Sequence, residues 1–188
     1  MLKIALTGNI ASGKSTVLDA LIRSNFKTLC LDTVVNTLYC KNEAFKSVLM
    51  DEFGTCIKAD VANIVLEDNL KLKKLEKLVY PFVLDIMSDF FIDNQFEKFV
   101  IVDAPMLFEA GFDEYFDKII FVSAKDEIRL QRLIKRNKLT KDKAILRINL
   151  QQNEVEKLIK ADYILYNNKD IKSLNEAIKQ LIKDLELL

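Results

Sequence analysis

Residues 8 to 15 read Gly-Asn-Ile-Ala-Ser-Gly-Lys-Ser, which fits G-x-x-x-x-G-K-[ST], the phosphate-binding P-loop. The spacing carries a mechanism. Gly8 and Gly13 permit a tight turn and close backbone approach to a ligand, and the N–H groups between them form an anion-binding concavity. Lys14 supplies a mobile cation for β- and γ-phosphates, and Ser15 a hydroxyl for Mg²⁺. A helix beginning here points the positive end of its dipole at the phosphates. Gly8, Ala11, Ser12, Gly13, Lys14, Ser15 and Thr16 are therefore the expected nucleotide-binding residues, with Ser15 as the metal ligand.

The flanks supply the context the loop requires. Lys3-Ile4-Ala5-Leu6-Thr7 is an apolar run suited to a buried strand. Downstream, Val17, Leu18, Leu21 and Ile22 recur at helical spacing, and Asn25 offers a stop. Similar short apolar runs span 3–7, 28–31, 99–102, 119–122 and 163–166, separated by helical patterns. This alternation predicts an α/β fold with a five-stranded parallel sheet flanked by helices. Such sheets bind ligands beyond the carboxyl ends of their strands, which selects Gly8 to Ser15, Asp32, Asp103 and Ser123.

Residues 33–98 exceed what a strand-to-strand crossover needs. Leu70, Leu72, Leu75, Leu78 and Val79 mark helical pattern there. The stretch reads as an inserted helical substrate subdomain, or as crossover helices with a packing role. Residues 125–160 are charged, carrying Arg129, Arg132, Arg136 and Arg147, and read as two helices about a turn near Asn137 to Thr140. The core is then about 1–32, 99–124 and 161–188. Ser173-Leu174-Asn175-Glu176 has the capping-box pattern, followed by an apolar face of Ile178, Leu181, Ile182 and Leu185. Pro81 and Pro105 are expected to punctuate local structure.

Composition narrows the function classes. A chain of 188 residues, 50% hydrophobic, suits one domain with an inserted subdomain. Its 28 basic and 28 acidic residues cancel, which argues against a broad nucleic-acid face. Cys30, Cys40 and Cys56 share no metal-ligand spacing, and the first strand follows Met1 at once. Reduced thiols and a cytoplasmic location are expected. No apolar run approaches the roughly 18 residues of a membrane span. The absence of histidine excludes a serine–histidine triad and a histidine-based zinc site.

Phosphoryl transfer needs in-line positioning and charge neutralisation. Asp32, at the end of the second apolar run, can accept a proton from an attacking hydroxyl or hold Mg²⁺ through water; the alternative is a helix N-cap. Asp103 follows Phe99-Val100-Ile101-Val102, where it can join a Mg²⁺ shell or close a strand-end turn. Arg132 and Arg136 stand four apart on one helical face. They read as anion-facing lid residues or as solvated surface. Asp51-Glu52-Phe53-Gly54 mimics a GTPase D-x-x-G, yet it follows the amphipathic run 45–50, and Gly54 reads as a helix C-cap. Asn167-Asn168-Lys169-Asp170 lacks the spacing of a guanine-reading motif.

Together these segments resemble the dephospho-CoA kinase family along nearly the whole chain. Leu6 to Thr16 is similar to L-T-G-G-I-G-S-G-K-S-T, and Asp32 to the second acid of D-A-D. Phe53-Gly54 matches F-G, Leu75 to Pro81 L-E-x-x-x-H-P, and Pro105 to Glu109 P-L-L-F-E. Arg132 and Arg136 match the lid arginines, Arg147 to Gln151 R-x-x-x-Q, and Ala161 to Asn167 A-D-Y-V-I-x-N. The resemblance implies core, lid and CoA subdomains, with ATP and Mg²⁺ as the phosphate source and dephospho-CoA as acceptor. By the same carry-over Asp32 is the base, Lys14 binds the β/γ-phosphates, Ser15 holds the metal and Arg136 covers the transferring phosphate. The chain departs from the pattern at Asn9 and Ala11, where the family has glycine, at Cys30, at Tyr80, and at Lys58, which stands for an arginine. Asn9 and Ala11 fit the loop if their φ angles are negative. Another small P-loop kinase or a non-catalytic nucleotide-binding module are the rival readings, with a monomer or weak homo-oligomer expected.

Overall fold

The structure, a computed structural model, describes residues 1–66, 68–149, 151 and 154–188. Position 150 of the R-x-x-x-Q match and positions 152–153 of the expected lid lie outside them. β1 (Leu2–Gly8), β2 (Thr28–Cys30), β3 (Phe99–Asp103), β4 (Lys118–Ser123) and β5 (Tyr163–Tyr166) form one sheet in the order β2-β3-β1-β4-β5. β1 runs parallel to both β3 and β4, and β4 parallel to β5. The apolar runs 3–7, 99–102, 119–122 and 163–166 thus became strands. The second is shorter than expected, because Leu31 already belongs to helix α2 (Leu31–Lys41).

By density of contacts the chain divides into two units, Met1–Thr28 with Glu97–Leu188, and Leu29–Phe96. In the first, β1 is central and its apolar side chains are wholly buried: Ile4, Ala5 and Leu6. Helix α1 (Lys14–Arg23) lays Val17, Leu18 and Leu21 on the sheet, and the last helix, α9 (Ile171–Glu186), adds Leu174, Ile178, Leu181 and Leu185. Asn25 takes φ 62° just after α1, the left-handed stop its position suggested. The start of α9 differs from the capping-box expectation. Asp170 is the N-cap, and its Oδ1 accepts from both the N–H and the hydroxyl of Ser173 at 2.9 Å. The helix begins three residues earlier than that pattern implied, and these bonds hold the Asp170 carboxyl below the usual carboxylate range.

Between β4 and β5 stand α6 (Asp126–Asn137), α7 (Lys141–Asn149) and α8 (Glu154–Lys160). The turn near 137–140 is where it was expected, with Lys138 at φ 51°. The third helix, α8, was not.

The second unit consists of α2, α3 (Glu43–Phe53), α4 (Lys58–Leu66) and α5 (Asn69–Asp93). Gly54 caps α3 at φ 72°, as read from the sequence. Pro81 does not interrupt the chain as expected but lies inside α5, on its exposed side. The buried stripe Val79, Val83, Met87 and Phe91 passes beside it at i, i+4 spacing, so packing offsets the lost N–H. Leu70 and Leu72, which marked helical pattern, lie in α5 and are exposed. Phe45 anchors the unit between the rings of Tyr39 and Phe82, at 5.1 and 5.3 Å between centroids.

Candidate active site

Because the strands are parallel, their carboxyl ends share one edge. Gly8 ends β1, Asp103 ends β3, Ser123 ends β4, and Asn167 follows β5. Leu6 pairs with Asp103 and Gly8 with Val122, which fixes the level at which the loop leaves the sheet. That register explains Gly8: a β-carbon there would lie 2.5 Å from the carbonyl oxygen of Val122. Gly13, at φ 103°, is the N-cap of α1, and a β-carbon there would overlap the side-chain amide of Asn167.

The loop is folded on itself and gripped from outside. Ser12 N donates to Asn9 O at 3.0 Å, and Thr16 N to Gly13 O at 3.0 Å. Asn167 Nδ2 donates to Ser12 O at 2.8 Å. Arg132 reaches the carbonyls of Ala11 and Ser12 at 3.4 and 3.2 Å through one nitrogen, and Asn167 through the other. Arg129, 2% exposed, donates to the carbonyl of Ile10 at 3.0 Å, to Asp126 and to Gln151; Gln151 Oε1 in turn accepts from Ile10 N at 2.8 Å. Lys14 is ion-paired with Asp103, itself 3% exposed.

The sequence-predicted residues are thus gathered unequally. Gly8, Ala11, Ser12, Gly13, Lys14, Ser15 and Thr16 form one loop, with Ser15 exposed on the first turn of α1. Arg132, from α6, is bonded to that loop. Arg136 is not: it is exposed and its Nε donates to the neighbouring Asn137 Oδ1 at 2.9 Å. Arg147 is also exposed. Asp32 is an exposed residue in the first turn of α2, whose N-cap is Cys30, so it is not the N-cap.

The condition placed on Ala11 fails. Its φ is 61°, the left-handed region where glycine is at ease and alanine is strained. Asn9 is not among the positive-φ residues, and its side chain is used: Nδ2 donates to Glu154 Oε2 at 3.0 Å and Oδ1 accepts from Lys157 at 3.2 Å. Lys157 and Glu154 escaped sequence reading, since in a charged run nothing marks them. Asn167 was visible as the last letter of one motif and the first of a dismissed one, with no contact to the loop implied.

The donors suit a triphosphate with Mg²⁺. The positive end of the α1 dipole opens on the loop, and its first turn carries no acidic residue. The Ser15 hydroxyl and the Asp103 carboxylate are hard oxygen donors of the kind Mg²⁺ prefers. Among the described residues no cluster of three or more His, Cys, Asp or Glu could hold a metal by itself. Such an ion would share its shell with phosphate and water.

A parallel sheet whose central strand delivers this loop into a helix defines a P-loop nucleotide-binding protein. The family described as "CoaE: Dephospho-CoA kinase" matches residues 2–173. The dephospho-CoA kinase of Rickettsia bellii (strain RML369-C) is 32% identical over 188 residues, covering 99% of this chain and 98% of its own. The chain belongs to the dephospho-CoA kinase family and is an ATP-dependent kinase. The crystal structure of TT1252 from Thermus thermophilus superposes with a TM-score of 0.81 at 30% identity, over 98% of this chain and 97% of that one. Dephospho-CoA kinase from Campylobacter jejuni shares the fold, with a TM-score of 0.72 at 23% identity over 97% and 96% of the two chains. Among the described residues no helix is long and apolar enough to cross a membrane.

Proposed function

We propose that this kinase moves the γ-phosphate of ATP to the ribose 3′-hydroxyl of dephospho-CoA, the final step of coenzyme A synthesis. The observation that carries the reading is the P-loop with Lys14 paired to Asp103, in a chain that aligns with dephospho-CoA kinases along nearly its whole length.

The loop backbone and the N-terminus of α1 receive the phosphates, and Lys14 shares its charge between Asp103 and the β/γ-phosphate oxygens. Asp32 takes the proton of the 3′-hydroxyl as that oxygen bonds to the γ-phosphorus. The bond from phosphorus to the β-bridging oxygen breaks, and ADP leaves with its electron pair. Ser15, with Asp103, would hold Mg²⁺, which when bound neutralises charge on the β- and γ-oxygens. Arg132 steadies the loop carbonyls, and Arg136, on the segment 125–160 that we assign as lid, covers the transferring phosphate.

Residues 33–98 serve as the CoA subdomain in this reading. Lys58, there in place of the family's arginine, donates to Asn36 Oδ1 at 2.5 Å and lies 5.7 Å from the centre of the Tyr39 ring. As a point charge it cannot offer a bidentate grip, so its contact with the acceptor is looser than an arginine's.

The test is ADP release with Mg-ATP and dephospho-CoA, compared with adenosine, AMP and shikimate, and the mass of the product. Selective turnover with a product heavier by one phosphate is expected. Turnover only with another acceptor would reassign the chain to a different small kinase. ATP binding without any turnover would make it a regulatory module.

A further inference from the structure

Phosphoryl transfer as proposed uses neither of two buried cations, Arg129, which holds the Ile10 carbonyl, and Lys157. Lys157, on α8, is 3% exposed, and its ammonium donates to Glu109 Oε1 at 2.5 Å and to Asn9 Oδ1 at 3.2 Å. The other end of the Asn9 amide is also held, by Glu154 Oε2, whose second oxygen accepts from Ser123 Oγ at 2.5 Å. Asn9 itself is 4% exposed. The second residue of the P-loop motif therefore has a donor fixed on its oxygen and an acceptor on its nitrogen, which leaves the amide one orientation.

Glu109 closes the segment that follows β3, and β3 ends in Asp103. The same stretch of chain thus holds the loop at two points. Asp103 holds Lys14 at the loop's exit, and Glu109, through Lys157, holds Asn9 at its entry. A buried ion pair is seldom the most stable filling for such a space; apolar side chains of like volume often do as well or better. What the charges add here is direction.

We infer that Lys157 is a positioning residue for phosphoryl transfer, acting through Asn9 to set the entry of the P-loop before ATP arrives. The role rests on the kinase reading above. Misplacing a reacting group by about 1 Å can cost on the order of 10²-fold in rate, so the effect falls on kcat.

Two variants separate this from simple packing. Asn9→Ala removes the amide and keeps the Lys157–Glu109 pair buried. Lys157→Met with Glu109→Leu removes both charges together, so no carboxylate is left buried alone. Each is expected to lower kcat about 10–100-fold. KM for dephospho-CoA should change less than about twofold, because Lys157 acts on the phosphate donor's loop. Combining all three changes should cost little more than either alone, since both break one link. Amide hydrogen exchange of residues 9–16 in the ligand-free protein should speed up about tenfold in each, a readout independent of the acceptor. If wild-type protein fails to phosphorylate dephospho-CoA, the acceptor assignment falls while the exchange result still judges Lys157. A folded Asn9→Ala with kcat within about twofold of wild type and unchanged exchange would overturn the inference, whether or not the double variant folds. Losses that multiply in the combined variant would overturn it too.

Discussion

The side-chain amide of Asn167 fills the space that a β-carbon on Gly13 would need. The same amide donates to the Ser12 carbonyl, while the residue's oxygens accept from Arg132. One asparagine after the edge strand thereby sets the backbone of the loop that follows the central one. Gly13→Ala meets two obstacles there, the overlap and the left-handed φ, the second alone worth about 1–2 kcal/mol. ATP affinity measured by calorimetry should fall at least about tenfold, with the circular dichroism spectrum unchanged. Adding Asn167→Ala should restore part of the loss, because it clears the overlap and leaves the φ. No recovery in the double variant would mean that the amide does not crowd Gly13.

Lys14 and Asp103 join the loop to the end of β3 before any phosphate is present. Lys14→Met removes the charge whose value grows as the γ-phosphate departs. Turnover should fall about 10²–10³-fold, the scale of losing one donor to the transition state. Lys14→Arg should recover little, since a planar fork cannot replace a point charge in a closed loop. Steady-state ADP release alongside a thermal melt checks both. A normal rate in folded Lys14→Met protein would remove the P-loop from the active site.

What could be read in advance, and what could not, divides along a physical line. The sheet was legible because short apolar runs at strand length recur between helical periods, and the loop because glycine and lysine at fixed spacing have few other uses. The cap of α9 was misplaced by three residues: Ser173 and Asp170 are both good capping residues, and only the chain's path decides between them. Pro81 was read as punctuation, yet on a helix buried along its opposite side a proline is tolerated. Lys157 and Asn9 meet across 148 residues of sequence. Such a pair leaves no periodic trace, and a buried lysine in a charged run looks like any solvated one. Arg129 was grouped with the lid arginines, yet folding buries it against the carbonyl of Ile10.

Asp32 opens α2 as an exposed carboxylate. In the proposed role of base it acts only as the acceptor's hydroxyl attacks the γ-phosphorus, so its removal should separate chemistry from binding. Asp32→Asn keeps the shape and loses the proton acceptor. Turnover should drop by roughly 10²–10⁴-fold while ATP affinity stays within about twofold. Single-turnover quench-flow with equilibrium ATP titration distinguishes the two effects. Equal losses in binding and turnover would instead assign Asp32 to holding a ligand.

Ala11 carries φ 61° in the middle of the loop, and its carbonyl accepts from Arg132 at 3.4 Å. Left-handed backbone costs an L-residue about 1–2 kcal/mol. Replacing alanine by glycine also frees the unfolded chain, which costs about 0.4–1 kcal/mol in the other direction. The difference favours Ala11→Gly by about 0.5–1 kcal/mol. For a chain of this size that raises Tm by about 1–4 °C in differential scanning calorimetry. Ala11→Val should do the reverse, because a β-branched side chain is least suited to positive φ. ATP affinity should hold or rise in Ala11→Gly, since the carbonyl that Arg132 holds is unchanged. A lower Tm for the glycine variant would show that the loop turns at a residue other than Ala11.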